Sequence, residues 1–81
     1  MNTFKFYPKW NGGLYCAGAE GTFELELPMV IATAYLPTQE SWSSEAPDWA
    51  KDKWPVLRRE LEAWCHKNKV NFIIDSVARI Y

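Results

Sequence analysis

The stretch from Trp54 to Asn68, WPVLRRELEAWCHKN, constrains the fold more than any other. At about 100° per residue, Trp54, Leu57, Leu61, Trp64 and Cys65 fall within roughly a third of a helical circumference. Arg58, Arg59, Glu62, His66 and Lys67 lie outside that stripe. Pro55 fits the first turn, where its missing N–H would have had no partner. Arg58–Glu62 and Glu62–His66 are i,i+4 pairs, each contributing about 0.2–0.5 kcal/mol. Lys67 complements the negative end of the helix, and Asn68 suits a left-handed cap. A helix this short is marginal alone, so its apolar stripe must pack on something. The rest of the chain predicts a sheet.

TFKFY at 3–7 alternates, with Phe4 and Phe6 on one face and Lys5 and Tyr7 on the other, which is the pattern of a half-buried strand. Pro8, Asn11, Gly12 and Gly13 then supply turn chemistry. LYCA at 14–17 predicts a second short strand, and GAEG a further turn. TFELEL at 22–27 is the cleanest alternation, with Phe23, Leu25 and Leu27 inward and Thr22, Glu24 and Glu26 outward. MVIATAYL at 29–36 is nearly continuously apolar; its β-branched residues favour a central strand, while its alanines also fit a buried helical turn. VNFIIDSVARIY at 70–81 is β-rich, and its alternation slips near Asp75 and Ser76, where a bulge or bend is expected. The expected fold is α+β: one domain over residues 1–81, a small antiparallel sheet of three to five strands, and one amphipathic helix across one face. The element order is β-β-β-(β)-α-β.

Between Pro37 and Lys53 the chain reads PTQESWSSEAPDWAKDK, a long connection for a domain of 81 residues. Such a connection is functional or partly helical, and Ser44 is placed to cap a short turn running through Pro47 to Lys53. A core of this size gives about 3–5 kcal/mol, and five Trp, four Tyr and four Phe compensate with large side chains. No apolar run approaches the ~20 residues that span a bilayer, and MNTFKFYPKW has none of the regions of a signal peptide. Cys16 and Cys65 therefore read as reduced thiols of a cytoplasmic protein.

Catalytic patterns are weak. Cys65 and His66 are helix neighbours that diverge by about 100°, so the imidazole is poorly placed to activate the thiol. Cys16, Cys65 and His66 are too few and too irregularly spaced for a zinc site. Glu24 and Glu26 share a strand face about 7 Å apart, but no cleft accompanies them. The glycines lack the GK[ST] of a phosphate loop. The chain is expected to be non-enzymatic, without cofactor, metal or small-molecule substrate.

The formal net charge of −1 conceals an asymmetry. Residues 1–50 hold Lys5 and Lys9 against six acids, and residues 51–81 hold seven basic residues against four acids. Arg58, Arg59, Lys67 and Lys69, with Arg79, are the cations that a nucleic acid would use, although an acidic balance is not the usual footprint of such a domain. Protein binding is better served by Trp10, Tyr35, Trp42 and Trp49, large side chains that periodicity leaves unplaced. Trp42 and Trp49 either anchor a partner or fold back over the sheet edge.

Small, slightly acidic chains without catalytic residues are a style common among phage and mobile-element proteins that block host machinery, anti-CRISPR inhibitors among them. The expected function is a protein-binding inhibitor or adaptor of that kind, acting on a host protein or ribonucleoprotein complex. The alternatives are a small nucleic-acid-binding accessory protein and an immunity protein or antitoxin.

Overall fold

The computed structural model describes residues 3–9, 12–28 and 30–80. Strands β1 (Lys5–Lys9), β2 (Gly13–Ala17), β3 (Thr22–Glu26) and β4 (Thr33–Leu36) come first, followed by helix α1 (Gln39–Glu45) and a 3₁₀ helix (Asp48–Lys53). Helix α2 (Trp54–Asn68) and strand β5 (Asn71–Ile74) complete the α+β fold. The strands form one sheet in the order β1-β2-β3-β4-β5.

The first four strands are antiparallel neighbours, and β5 lies parallel to β4. An antiparallel last strand was the expectation. The chain between β4 and β5 is a crossover carrying both helices, which returns it to run in the same direction as β4. The sheet curls between β3 and β4, which share the single register pair Glu26↔Tyr35. Beyond that pair, Ile80 takes the place beside Leu25 as an antiparallel bridge.

Alternation decides the two faces. Phe4, Leu14, Cys16, Phe23, Leu25, Leu27, Ala34 and Leu36 are buried on the inner side, where Leu57, Leu61 and Cys65 of α2 join them. Trp54 and Trp64 are only half-buried, so they flank this stripe rather than fill the core. Trp64 packs on Phe6 with ring centroids 5.9 Å apart. Pro55 holds the first turn of α2 as the sequence implies. The left-handed cap falls on Lys69 (φ 58°), because Asn68 completes the last turn and donates its side-chain amide to Trp64 O at 2.8 Å.

Two local expectations change. Pro8 lies within β1, which tolerates it because β1 is an edge strand with one side free of a ladder. In the 29–36 run Met29 lies outside the described residues, Thr33–Leu36 is strand, and residues 30–32 form a turn in which Val30 and Ile31 are exposed. Of the bulge or bend expected near Asp75 and Ser76, the chain takes the bend, as a turn: Val77 N–H donates to Asp75 Oδ1 (3.0 Å) and Ala78 N–H to Asp75 O (3.2 Å).

The long connection is ordered by tryptophan. Ser44 does not cap the 3₁₀ helix, which starts after Pro47 with no side-chain cap; it lies inside α1, whose own cap is Thr38, accepting Ser41 N–H at 3.3 Å. Trp42 is fully buried; its indole N–H donates to Ala50 O at 2.8 Å and its ring meets Phe23 edge-on at 5.2 Å. Trp54 donates to Pro37 O at 2.8 Å. Trp49 lies against Phe4 and Phe23 and over the β2–β3 hairpin, where a Cβ at Gly18 or Gly21 would approach its indole to 2.7 Å. Those glycines admit the ring.

Candidate functional site

Both helices pack on the inner side, so the outer side of the sheet is left without a layer among the described residues. Its residues follow from register. Lys5, Ala17 and Thr22 form one row across β1–β3, and Tyr7, Tyr15 and Glu24 form the next. The third row crosses the whole sheet: Lys9, Gly13, Glu26, Tyr35, Ile73.

Tyr7 is 51% exposed, Tyr15 37% and Ile73 42%, values high enough for a partner to cover further apolar area. The polar groups between them are organised. Lys9 Nζ lies 2.9 Å from Glu24 Oε1 and 5.3 Å from the centre of the Tyr15 ring. Gly13 makes that reach possible, since a Cβ there would collide with the Glu24 carboxylate. Tyr15 OH donates to Thr22 Oγ1 at 3.2 Å. This ties down the ring at its far end and lowers the entropy lost on binding.

At one end, this face runs into a groove of about 400 Å³ lined by Glu26, Tyr35, Asp75, Val77, Ala78 and Arg79. The groove exists because β3 and β4 part after one register pair and the 75–80 segment crosses back to β3. Arg79 N–H donates to Glu26 Oε1 at 3.3 Å, holding the crossing segment against the sheet. The result is a polar recess with an exposed apolar lip at Val77, continuous with the tyrosine face through Glu26 and Tyr35.

The residues singled out from sequence separate. Tyr35 belongs to the face and to the groove. Trp42 is enclosed in the core and Trp49 is half-buried over the hairpin, so the reading in which they fold back describes their positions. As placed, Trp42 offers no surface to a partner. Trp10 lies outside the described residues. Arg58, Arg59 and Lys67 are exposed on α2, which packs on the inner side of the sheet, and Lys69 is exposed at its end beside β5. Tyr7, Tyr15, Ile73 and the groove residues other than Tyr35 were missed. For Tyr7 and Tyr15 a signal was present, because strand alternation sets them opposite Phe6 and Cys16. The groove had none, since it depends on where β4 leaves β3.

Cys65 is buried and His66 exposed, so the two side chains diverge as helical phase requires. Burial, and secondarily the Glu62 charge, pushes the Cys65 thiol up to about 11. Cys16 is raised further, first by burial and then by Glu24. Both thiols are unbonded. Among the described residues, no group of three His, Cys, Asp or Glu is arranged to hold a metal ion, and no helix is long and apolar enough to cross a membrane. No protein-family model, no curated protein and no solved structure matches the chain.

Proposed function

We propose that this protein is a small non-enzymatic binding module that engages a partner protein through the outer sheet face. The observation that carries this reading is one sheet face on which Tyr7, Tyr15 and Ile73 are exposed and Tyr35 partly so, with Glu24 and Glu26 of β3 between them, continuous with the groove. Tyrosines on a rigid sheet supply large contact area at low entropic cost, with mixed charge around them to set orientation. A protein acting in this way blocks or bridges its partner by occupying a surface, which is the expectation for an inhibitor or adaptor. Its attribution to the phage inhibitor style, and to the cytoplasm, rests on size, charge and two unpaired thiols.

Nucleic acid is disfavoured by the division of the molecule. The cations Arg58, Arg59 and Lys67 lie on α2, which packs on the other face of the sheet from the tyrosines. On the tyrosine side, Lys9 is engaged by Glu24, and Glu26 adds a second carboxylate. Lys5 and Arg79 are the other cations on that side, one in the far row and one in the groove, so a strand stacked on the tyrosines would meet the Glu24 and Glu26 carboxylates between them.

The test is capture of partners from host lysate with and without nuclease, using the parent, Tyr7→Ala/Tyr15→Ala and Arg58→Glu/Arg59→Glu. The expected result is a protein partner that survives nuclease and is lost with the tyrosine variant, which retains its parental melting curve. Recovery that needs nucleic acid, or that is lost only on charge reversal, would overturn the reading.

A further inference from the structure

The two edges of the sheet are treated differently. Edge strand β1 carries Pro8, which has no N–H, and two lysines, the usual means of discouraging strand addition. Edge strand β5 is Asn71-Phe72-Ile73-Ile74, without charge or proline, and Ile73 and Ile74 are 42% and 38% exposed.

The backbone of β5 has a defined unpaired side. Asn71 N–H donates to Ala32 O and Asp75 N–H to Leu36 O, both at 2.9 Å, so odd-numbered residues address β4. Strand alternation turns the N–H and C=O groups of Phe72 and Ile74 the other way, where the sheet has no further strand. The Val70 carbonyl, opposed to Asn71 N–H across their peptide, faces the same side. Val70 N–H is already bonded to Cys65 O at 2.8 Å.

The geometry points to a second copy of this chain as the occupant of that edge, joined β5 to β5 in antiparallel fashion about a two-fold axis through Phe72. The register follows from two constraints. The free groups belong to even-numbered residues, so these must face one another: Phe72 opposite Phe72, and Ile74 N–H on the Val70 carbonyl of the second copy. The same register brings Asp75, just past the end of one β5, beside the α2–β5 turn that carries Lys69 in the second copy, twice. Neither residue forms an ion pair among the described residues. The registers two positions away that also satisfy the backbone lose this charge match. Phe72, Val70 and Ile74 then meet their counterparts on the helix side, extending the core across the axis. An axis perpendicular to the sheet keeps both tyrosine faces on one side of a ten-stranded sheet, so the dimer would present two copies of the proposed binding face together. The strip is short, so association belongs to concentrated protein rather than to an obligate dimer.

Sedimentation velocity over a series from dilute to near-millimolar protein tests this. The parent should shift reversibly from monomer to dimer. Ile74→Pro removes only an N–H on the free side, and because the axis makes each change count twice it should weaken association about tenfold or more. Ile73→Lys, a change at an exposed position, should do the same if proline perturbs the strand; melting curves establish that each variant folds. Lys69→Glu should also weaken the dimer, and Lys69→Glu/Asp75→Lys should restore it. A parent that stays monomeric throughout, a dimer indifferent to both edge variants, or a double variant no better than Lys69→Glu would overturn the proposal.

Discussion

Glu60 on α2 accepts the backbone N–H of Phe4 at 2.7 Å, and its second oxygen accepts that of Thr3 at 2.8 Å. One helix carboxylate thus holds the chain just before β1, beside the buried Phe4 ring. Removing it strands two N–H groups, one of them part-buried, at a typical cost of about 1–3 kcal/mol for such a loss. Glu60→Ala should lower the urea midpoint accordingly, while Glu60→Gln, which keeps one acceptor oxygen, should fall between. An Ala variant with the parental midpoint would show that the clamp contributes nothing.

Trp42 supports stability rather than recognition. Its ring is enclosed between Phe23 and the chain, and its N–H closes the 38–50 segment on Ala50 O. Trp42→Ala should cost about 3–5 kcal/mol, a large part of a small domain's total. Trp42→Phe fills most of the space but leaves the Ala50 carbonyl unpaired, so it should cost about 1–3 kcal/mol. Calorimetric melting of both checks the order; a Trp42→Ala protein that melts with the parent would refute the placement.

Alkaline pH should destabilise the fold through its thiols. An unfolded cysteine loses its proton near about pH 8.5, whereas burial holds Cys65 protonated to about 11. Between those values the unfolded chain binds fewer protons than the folded one, so stability falls as pH rises, at on the order of 1 kcal/mol per pH unit for each such group. Cys16, raised in the same direction, adds to the slope. Denaturant midpoints from neutral to strongly alkaline pH should therefore decline less steeply in Cys16→Ala/Cys65→Ala than in the parent, despite its lower stability at neutral pH. Equal slopes would contradict the burial argument. Native protein should likewise resist thiol reagents until denaturant is added.

What could be read in advance followed from local periodicity. The helix from Trp54 to Asn68, the inward residues Phe4, Phe23, Leu25, Leu57 and Leu61, and the outward Glu24 and Glu26 all come from patterns a few residues long. The parallel pairing of β5 does not, because strand direction depends on the path of the crossover. Nor does the fate of Trp42 and Trp49. An indole in a polar, proline-flanked segment has no phase, and only the Phe23 ring and the Ala50 carbonyl, brought near by tertiary folding, assign it to the core. The face opposite the helices was half legible: alternation separates Tyr7 from Phe6. That nothing covers the Tyr7 side follows only from where both helices pack.

That face yields the sharpest functional expectation. Tyr15 is held at both ends, by Lys9 over its ring and by its hydroxyl on Thr22, and it stands opposite Tyr7 in register. A side chain already ordered and half exposed gives up little freedom on binding, so it should act as an anchor, and Tyr15→Ala should cost about 2 kcal/mol or more in partner affinity. Tyr7→Ala should cost less, since Tyr7 is more exposed. Exchanging Lys9 and Glu24 (Lys9→Glu/Glu24→Lys) should mainly slow association, as a solvent-accessible pair steers approach more than it holds the complex. Titration calorimetry gives the affinities and surface resonance the rates. A shallow dependence on salt is expected, in contrast to the steep loss that phosphate contacts produce. Full affinity in Tyr15→Ala, or loss only when Arg58 and Arg59 are reversed, would shift the binding site to α2.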